Sequence, residues 1–171
     1  VPFHLNEGAL SFAVRQRENI AAKERIGAAA AEYVSDGEAI VLDASTTAWQ
    51  MAKHLVDRRD LTVITTGLYI ALELLRGQGI SVIIPGGVVW REAASITGTI
   101  SPDFVSSGNL QQGFFSGRGL SMDEGLTDAN QAEVELKRQL ISAVRQVSVI
   151  IDSSKLGKVA FASCAALGGR G

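Results

Sequence analysis

The segment Asp43-Ala44-Ser45-Thr46-Thr47 sets three hydroxyls behind a carboxylate. It follows the apolar run Ala39-Ile40-Val41-Leu42 and precedes Trp49, Ala52, Leu55 and Val56, which have helical spacing. Hydroxyls at the start of a helix stand beside unpaired backbone N–H groups and the positive end of the helix dipole, a setting suited to a phosphate. Asp43 beside such an anion is useful for accepting hydrogen bonds from ligand hydroxyls, so a phosphorylated polyol suits both halves of the segment. The competing reading makes Ser45 or Thr46 an ordinary N-cap, for which one hydroxyl suffices.

Three further loops follow apolar runs. Thr65-Thr66-Gly67 and Pro85-Gly86-Gly87 carry glycines that let backbone amides approach a ligand, or that simply turn the chain. Asp152-Ser153-Ser154-Lys155 places an ammonium where it can reach the same crevice as a phosphate partner, the alternative being a solvated surface lysine. Trp49, one turn into the helix after Asp43–Thr47, is a candidate wall of the crevice or ordinary helix packing. Arg118 lies in Gly117-Arg118-Gly119, which lacks the third glycine of a dinucleotide fingerprint, and no phosphate-binding G-x-x-x-x-G-K-[ST] loop is present. Two histidines, His4 and His54, with the single Cys164, supply neither a zinc site nor a nucleophilic triad. The expectation is therefore a site without metal, cofactor or catalytic residue.

These loops need elements to hold them. Ala39–Leu42, Leu61–Ile64, Ser81–Ile84 and Ser148–Ile151 are near-continuous apolar runs, and helical spacing follows the first two. Such runs mark strands covered on both faces, so the predicted fold is a doubly wound, mostly parallel α/β sheet between helical layers. Ligands of these sheets bind beyond the carboxyl ends of the strands, where the loops above fall. A long helix is expected over 15–35, burying Ile20, Ile26, Ala30 and Val34 and ending at Gly37, and another over about 130–144. Val88-Val89-Trp90 reads as a short strand, while four glycines between Ser101 and Leu120 leave one short strand at Phe114-Phe115.

The chain has 171 residues, 46% of them hydrophobic, and a formal charge of −2, enough for one core and without the positive field that holds a nucleic acid backbone. No segment reads as a membrane span or secretory signal, and the lone cysteine fits a cytoplasmic protein. Val1 at the start and the glycine-rich end suggest a piece of a longer polypeptide.

Taken together, the loops resemble the carboxyl-terminal effector-sensing domain of DeoR-type bacterial transcriptional repressors. The resemblance runs from about Phe12 to Phe161. It rests on Lys23-Glu24-Arg25-Ile26-Gly27, Leu42–Thr47, Leu61–Leu68, Gly86-Gly87, Gly98, Gly125-Leu126-Thr127, Glu133 with Lys137, and Asp152–Gly157. It implies a fold similar to ribose-5-phosphate isomerase and glucosamine-6-phosphate deaminase, used for sensing. It further implies that Ser45, Thr46 and Thr47 hold a phosphate, that Asp43 and the Thr66-Gly67 loop contact the sugar, and that Lys155 closes the site. Gly86, Gly87, Arg118 and Trp49 complete the candidate list. On this reading residues 1–11 are a linker remnant and 12–171 the sensing domain, with operator DNA reached only through a helix-turn-helix domain outside this sequence. The expected partners are a phosphorylated sugar and further copies of the chain. The alternative is a sugar-phosphate isomerase or deaminase using Asp43, Glu124 or Asp128 as proton shuttle and Lys155 as electrophile; related enzymes carry an acid where this chain has Arg118, which disfavours it.

Overall fold

The computed structural model describes residues 11–106 and 108–168, so most of the expected linker, His4 and the final three residues lie outside the described residues. The chain opens with α1 (Phe12–Arg15) and α2 (Ile20–Ala31), then β1 (Ala39–Leu42), α3 (Thr46–Lys53), β2 (Leu61–Thr65), α4 (Leu68–Leu74) and β3 (Ile80–Ile83). A hairpin of β4 (Val88–Trp90) and β5 (Ser95–Thr97) leads to α5 (Pro102–Ser106), β6 (Gln112–Phe115), β7 (Gly119–Ser121) and β8 (Gly125–Asp128). The last elements are α6 (Gln131–Ala143), β9 (Gln146–Val149), a 3-10 turn at Ser153–Lys155, and β10 (Ala162–Ala165).

Five parallel strands form the main sheet in the order β3-β2-β1-β6-β9. The alternation of a strand sends successive side chains to opposite faces. Ile40 and Leu42 join Leu61, Val63 and Phe114 in a core with Ala48, Met51, Leu55 and Leu74 of the α3 and α4 segments. Val41, Ile64 and Phe115 face the other way and pack with Leu136 and Leu140 of α6. β1 is apolar throughout because both of its faces are covered, and Ile40, Val41 and Leu42 are each 0% exposed. The doubly wound α/β architecture is the one expected. The layer on the α6 side also contains a small antiparallel sheet, β10-β8-β7, which contributes Leu126, Ala162 and Cys164 to the second core.

Two helix expectations need correction. The helix expected over 15–35 is broken at Asn19, which sits in the left-handed region at φ 52°, and the second piece ends at Ala31. Asparagine tolerates that conformation, and the break turns α1 back so that Phe12 stacks on Tyr69 and meets Trp49 edge-on. Ile20 is consequently 42% exposed. Gly37 does not end the helix; at φ +84° it forms the turn into β1, with its N–H donating to the Arg59 carbonyl. By contrast, α6 lies within a residue of its expected bounds, capped by Asn130, whose side chain accepts from the Glu133 N–H at 3.0 Å. No helix among the described residues is long and apolar enough to cross a membrane.

Candidate functional site

The chain builds β1, β2 and β3 outward in one direction and then places β6 on the other side of β1. At such a switch point the loops leaving two adjacent strands diverge and open a crevice at their carboxyl ends. Here the loops are Asp43–Ser45 after β1 and Ser116–Arg118 after β6, and both line a pocket there.

Its floor is a closed network of buried charge. Asp43, 2% exposed, accepts from the Ser45 N–H at 3.0 Å through Oδ1 and from the Ser116 N–H at 2.7 Å through Oδ2. Both carboxylate oxygens are thus engaged by backbone donors, and Asp43 ties the β1 loop to the β6 loop. Lys137, projecting from α6, has its Nζ 3.4 Å from Asp43 Oδ2, 3.0 Å from Asp128 Oδ2, and donates to the Ser116 carbonyl at 2.8 Å. Burial works against the charge of Lys137, but Asp128 and Asp43 outweigh it and raise its pKa above the usual lysine range. Burial pushes Asp128 the other way from its neighbours; Lys137 and the Ala129 N–H prevail and hold its carboxyl low.

Above this floor lies the start of α3. Ser45 is its N-cap, Oγ accepting from the Ala48 N–H at 3.0 Å, so the capping reading of Ser45 holds. Thr46 and Thr47, in the first turn, are 4% and 3% exposed and line the pocket with Ser45 and Thr66. Four cations also line it: Arg15, Lys23, Arg118 and Lys155. Among the described residues none of the four is in a salt bridge. The pKa values of Lys23, Arg118 and Lys155 are lowered, first by burial, with Lys155 acting on Lys23, Arg15 on Arg118 and Arg118 on Lys155. Acidic neighbours oppose these shifts, Asp152 at Lys155 and Lys23 and Asp128 at Arg118, without forming a salt bridge to any of the four cations, so the cations remain available to an anion in the pocket. Glu133 and Glu18 complete the polar lining; burial raises the Glu133 carboxyl above its usual range, with Lys137 opposing.

Seven of the sequence-selected residues therefore meet in one pocket: Asp43, Ser45, Thr46, Thr47, Thr66, Arg118 and Lys155. Gly67, Gly86, Gly87 and Trp49 fall outside its lining. Gly67 shapes it from behind, because a Cβ there would lie 2.9 Å from the Ala44 Cα. Gly87 allows the β4 end to pass close to Thr97, and Gly86 is exposed with open space beside it. Trp49 is turned away by its packing with Phe12 and carries the Lys53 ammonium 3.9 Å above its ring. Residue reasoning did not place Arg15, Glu18, Lys23, Glu133 and Lys137 in the site. The spacing of Glu133 and Lys137, four apart on one helix face, was the available signal.

The sequence profile of the DeoR C terminal sensor domain matches residues 18–169. The chain belongs to this family. Among relatives of the DeoR sensor domain, the HTH-type transcriptional regulator GolR of Listeria innocua is 40% identical over 145 residues, 85% of this chain and 57% of that protein. The glycerol-3-phosphate regulon repressor of Escherichia coli is 30% identical over 136 residues, 80% of this chain and 54% of that protein. The chain thus spans little more than half the length of these relatives. Ribose 5-phosphate isomerase A from Methanocaldococcus jannaschii superposes with a TM-score of 0.60 at 15% identity, covering 81% of this chain and 55% of that one. The ribose 5-phosphate isomerase of Plasmodium falciparum gives 0.58, also at 15% identity, over 80% and 52%. At such identity the likeness is one of fold, and the relatives that share sequence are named transcriptional regulators.

Proposed function

We propose that this DeoR sensor domain binds a phosphorylated sugar or polyol in the switch-point pocket without transforming it, and that occupancy alters operator binding by a helix-turn-helix domain in the whole regulator. The observation that carries the reading is the meeting of Arg15, Lys23, Arg118 and Lys155 with the hydroxyl-bearing start of α3. Phosphate oxygens accept from backbone N–H groups, threonine hydroxyls and cationic side chains alike, and the pocket offers all three donor types. The name of the glycerol-3-phosphate regulon repressor is in keeping with an effector of this class. The regulator acts in the cytoplasm, where its effector and its operator both are.

The three carboxylates of the enzyme alternative are poorly placed for proton transfer. Asp43 ties two loops together through two backbone hydrogen bonds, Asp128 is paired with Lys137, and Glu124 is exposed and outside the pocket lining. Arg118 stays protonated at neutral pH and cannot replace them. Glu133 does line the pocket with a raised carboxyl, and recovery of the ligand unchanged is the measurement that excludes it as a base.

A thermal-shift screen against glycerol 3-phosphate, pentose and hexose phosphates, their unphosphorylated parents and inorganic phosphate tests the proposal. One phosphorylated compound at 100 times its dissociation constant raises the midpoint by about 5 °C or more, its parent does not, and it is recovered unchanged. Thr47→Val abolishes that shift and leaves the fold intact. Recovery of an isomerised or deaminated product assigns the pocket to an enzyme, and a silent panel removes the phosphate reading.

A further inference from the structure

The chain reaches the pocket from its amino-terminal side in an unusual way. Phe12 is anchored by its N–H donating to the Glu92 carbonyl at 2.8 Å and by its ring against Trp49 of α3 and Tyr69 of α4. Seven residues later Asn19 reaches the opposite side, its Nδ2 donating to Ser154 Oγ at 3.4 Å in the turn that carries Lys155. Between these anchors lie Arg15 and Glu18, both lining the pocket. Residues 12–19 are therefore a strap laid across the carboxyl ends of the central strands.

One polar atom of the strap lacks a structural partner, and a buried lysine outside the strap holds the same residue. The Arg15 Nε is buried and without a hydrogen-bond partner among the described residues. A buried donor without an acceptor is unfavourable unless a ligand supplies one. The Lys23 ammonium, on a residue 4% exposed, donates to the Arg15 carbonyl at 2.6 Å, so a charged side chain is placed indoors to fix the backbone of one residue.

We propose that Arg15 is an anion-binding residue of the pocket, that Lys23 is its positioning residue, and that the strap couples pocket occupancy to the chain segment entering at Ser11. The proposal rests on the phosphate reading above and adds to it the residue and path by which occupancy leaves the pocket. An anion that pairs with the Arg15 guanidinium favours the docked strap over any undocked arrangement, and that differential affinity is what shifts the equilibrium. Where the strap is docked, Ser11 is held beside Phe12, its Oγ and carbonyl accepting from the Val14 N–H and its carbonyl also from the Arg15 N–H.

The test uses the 171-residue chain with inorganic phosphate as probe, followed by calorimetry and by backbone amide hydrogen exchange. Phosphate binds the wild type saturably and slows exchange of the amides of residues 12–18. Arg15→Gln weakens phosphate binding about tenfold, the loss of one charge-assisted contact, and at saturating phosphate shows no slowing of exchange at those amides. Arg15→Lys restores part of the affinity and keeps the strap test available if the glutamine variant fails to fold. Saturable phosphate binding that is lost in Thr47→Val, yet equal in Arg15→Gln and without change in exchange at 12–18, overturns the strap and leaves the pocket reading standing. Absence of phosphate binding to the wild type overturns both.

Discussion

Lys137 sits among three oxygens, with two carboxylates sharing one ammonium. Removing it by Lys137→Met strands Asp43 and Asp128 without their counter-charge, and breaking a buried pair in this way costs about 3–5 kcal/mol. Urea denaturation at pH 7 should show this loss. Asp128 has a lowered carboxyl in the fold, so its contribution is present above its unfolded value of 3.8 and fades as pH falls through the folded value; the deficit of the variant should shrink on the same descent. Glu133 carries the opposite sign. Its folded pKa is raised, so the fold loses stability as pH rises from its unfolded value of 4.5 through the folded one, and Glu133→Gln should be more stable than wild type at pH 7 and no different below 4.5. Equal midpoints at pH 7 would show that the pocket carries this acid without strain. Cys164, 6% exposed with its thiol pushed up by burial to about 11, should resist iodoacetamide at pH 8 until denaturant is added. The hydroxyl loop and Lys155 were legible in the sequence because each directly follows an apolar run. Lys23 and Lys137 were not placed, since a lysine on an amphipathic helix reads as solvated until the fold shows what stands opposite.

At the scale of elements, the contact between α2 and α3 is set by Gly27, where a Cβ would lie 2.6 Å from the Met51 nitrogen and 2.8 Å from the Gln50 carbonyl carbon. Backbone cannot give way as a side-chain end can, so Gly27→Ala must push the helices apart at a cost of about 1–3 kcal/mol, outweighing the gain in helix propensity. Thermal melting that stays level or rises would mean the helices part freely. The inner strands β1 and β2 were readable because burial on both faces leaves a largely apolar run, whereas the edge strand β3, expected to be covered on both faces, alternates half-buried and exposed residues, and β9 starts two residues earlier than its apolar run suggested. The small sheet was not: Gly125-Leu126-Thr127-Asp128 and Ala162-Ser163-Cys164-Ala165 are short, mixed in polarity and paired across more than thirty residues, so neither carries a period of its own. The break at Asn19 was missed for another reason, because the apolar spacing continues through it and the left-handed turn leaves no trace in the pattern.

For the whole molecule, one sheet divides two cores and belongs to both. Leu136 of α6 packs only in the second, while Trp49 packs against the first. If the sheet couples them, Leu136→Ala, expected to cost about 2–5 kcal/mol, should lower the midpoint reported by Trp49 fluorescence, read in a Trp90→Phe background, as far as that reported by circular dichroism. A Trp49 midpoint left in place while helix is lost would mean two independently melting layers. The strand order has a further bearing on how the protein comes into being. The pocket takes Arg15, Ser45, Thr66, Arg118, Lys137 and Lys155 from stretches spread along nearly the whole described chain. On a ribosome adding roughly 5–20 residues per second, the first and last of these emerge on the order of ten seconds apart. A nascent copy holds its hydroxyl loop early yet has no pocket until β6, α6 and the Lys155 turn have joined, so recognition is withheld from every unfinished chain and arrives with the closing of the fold.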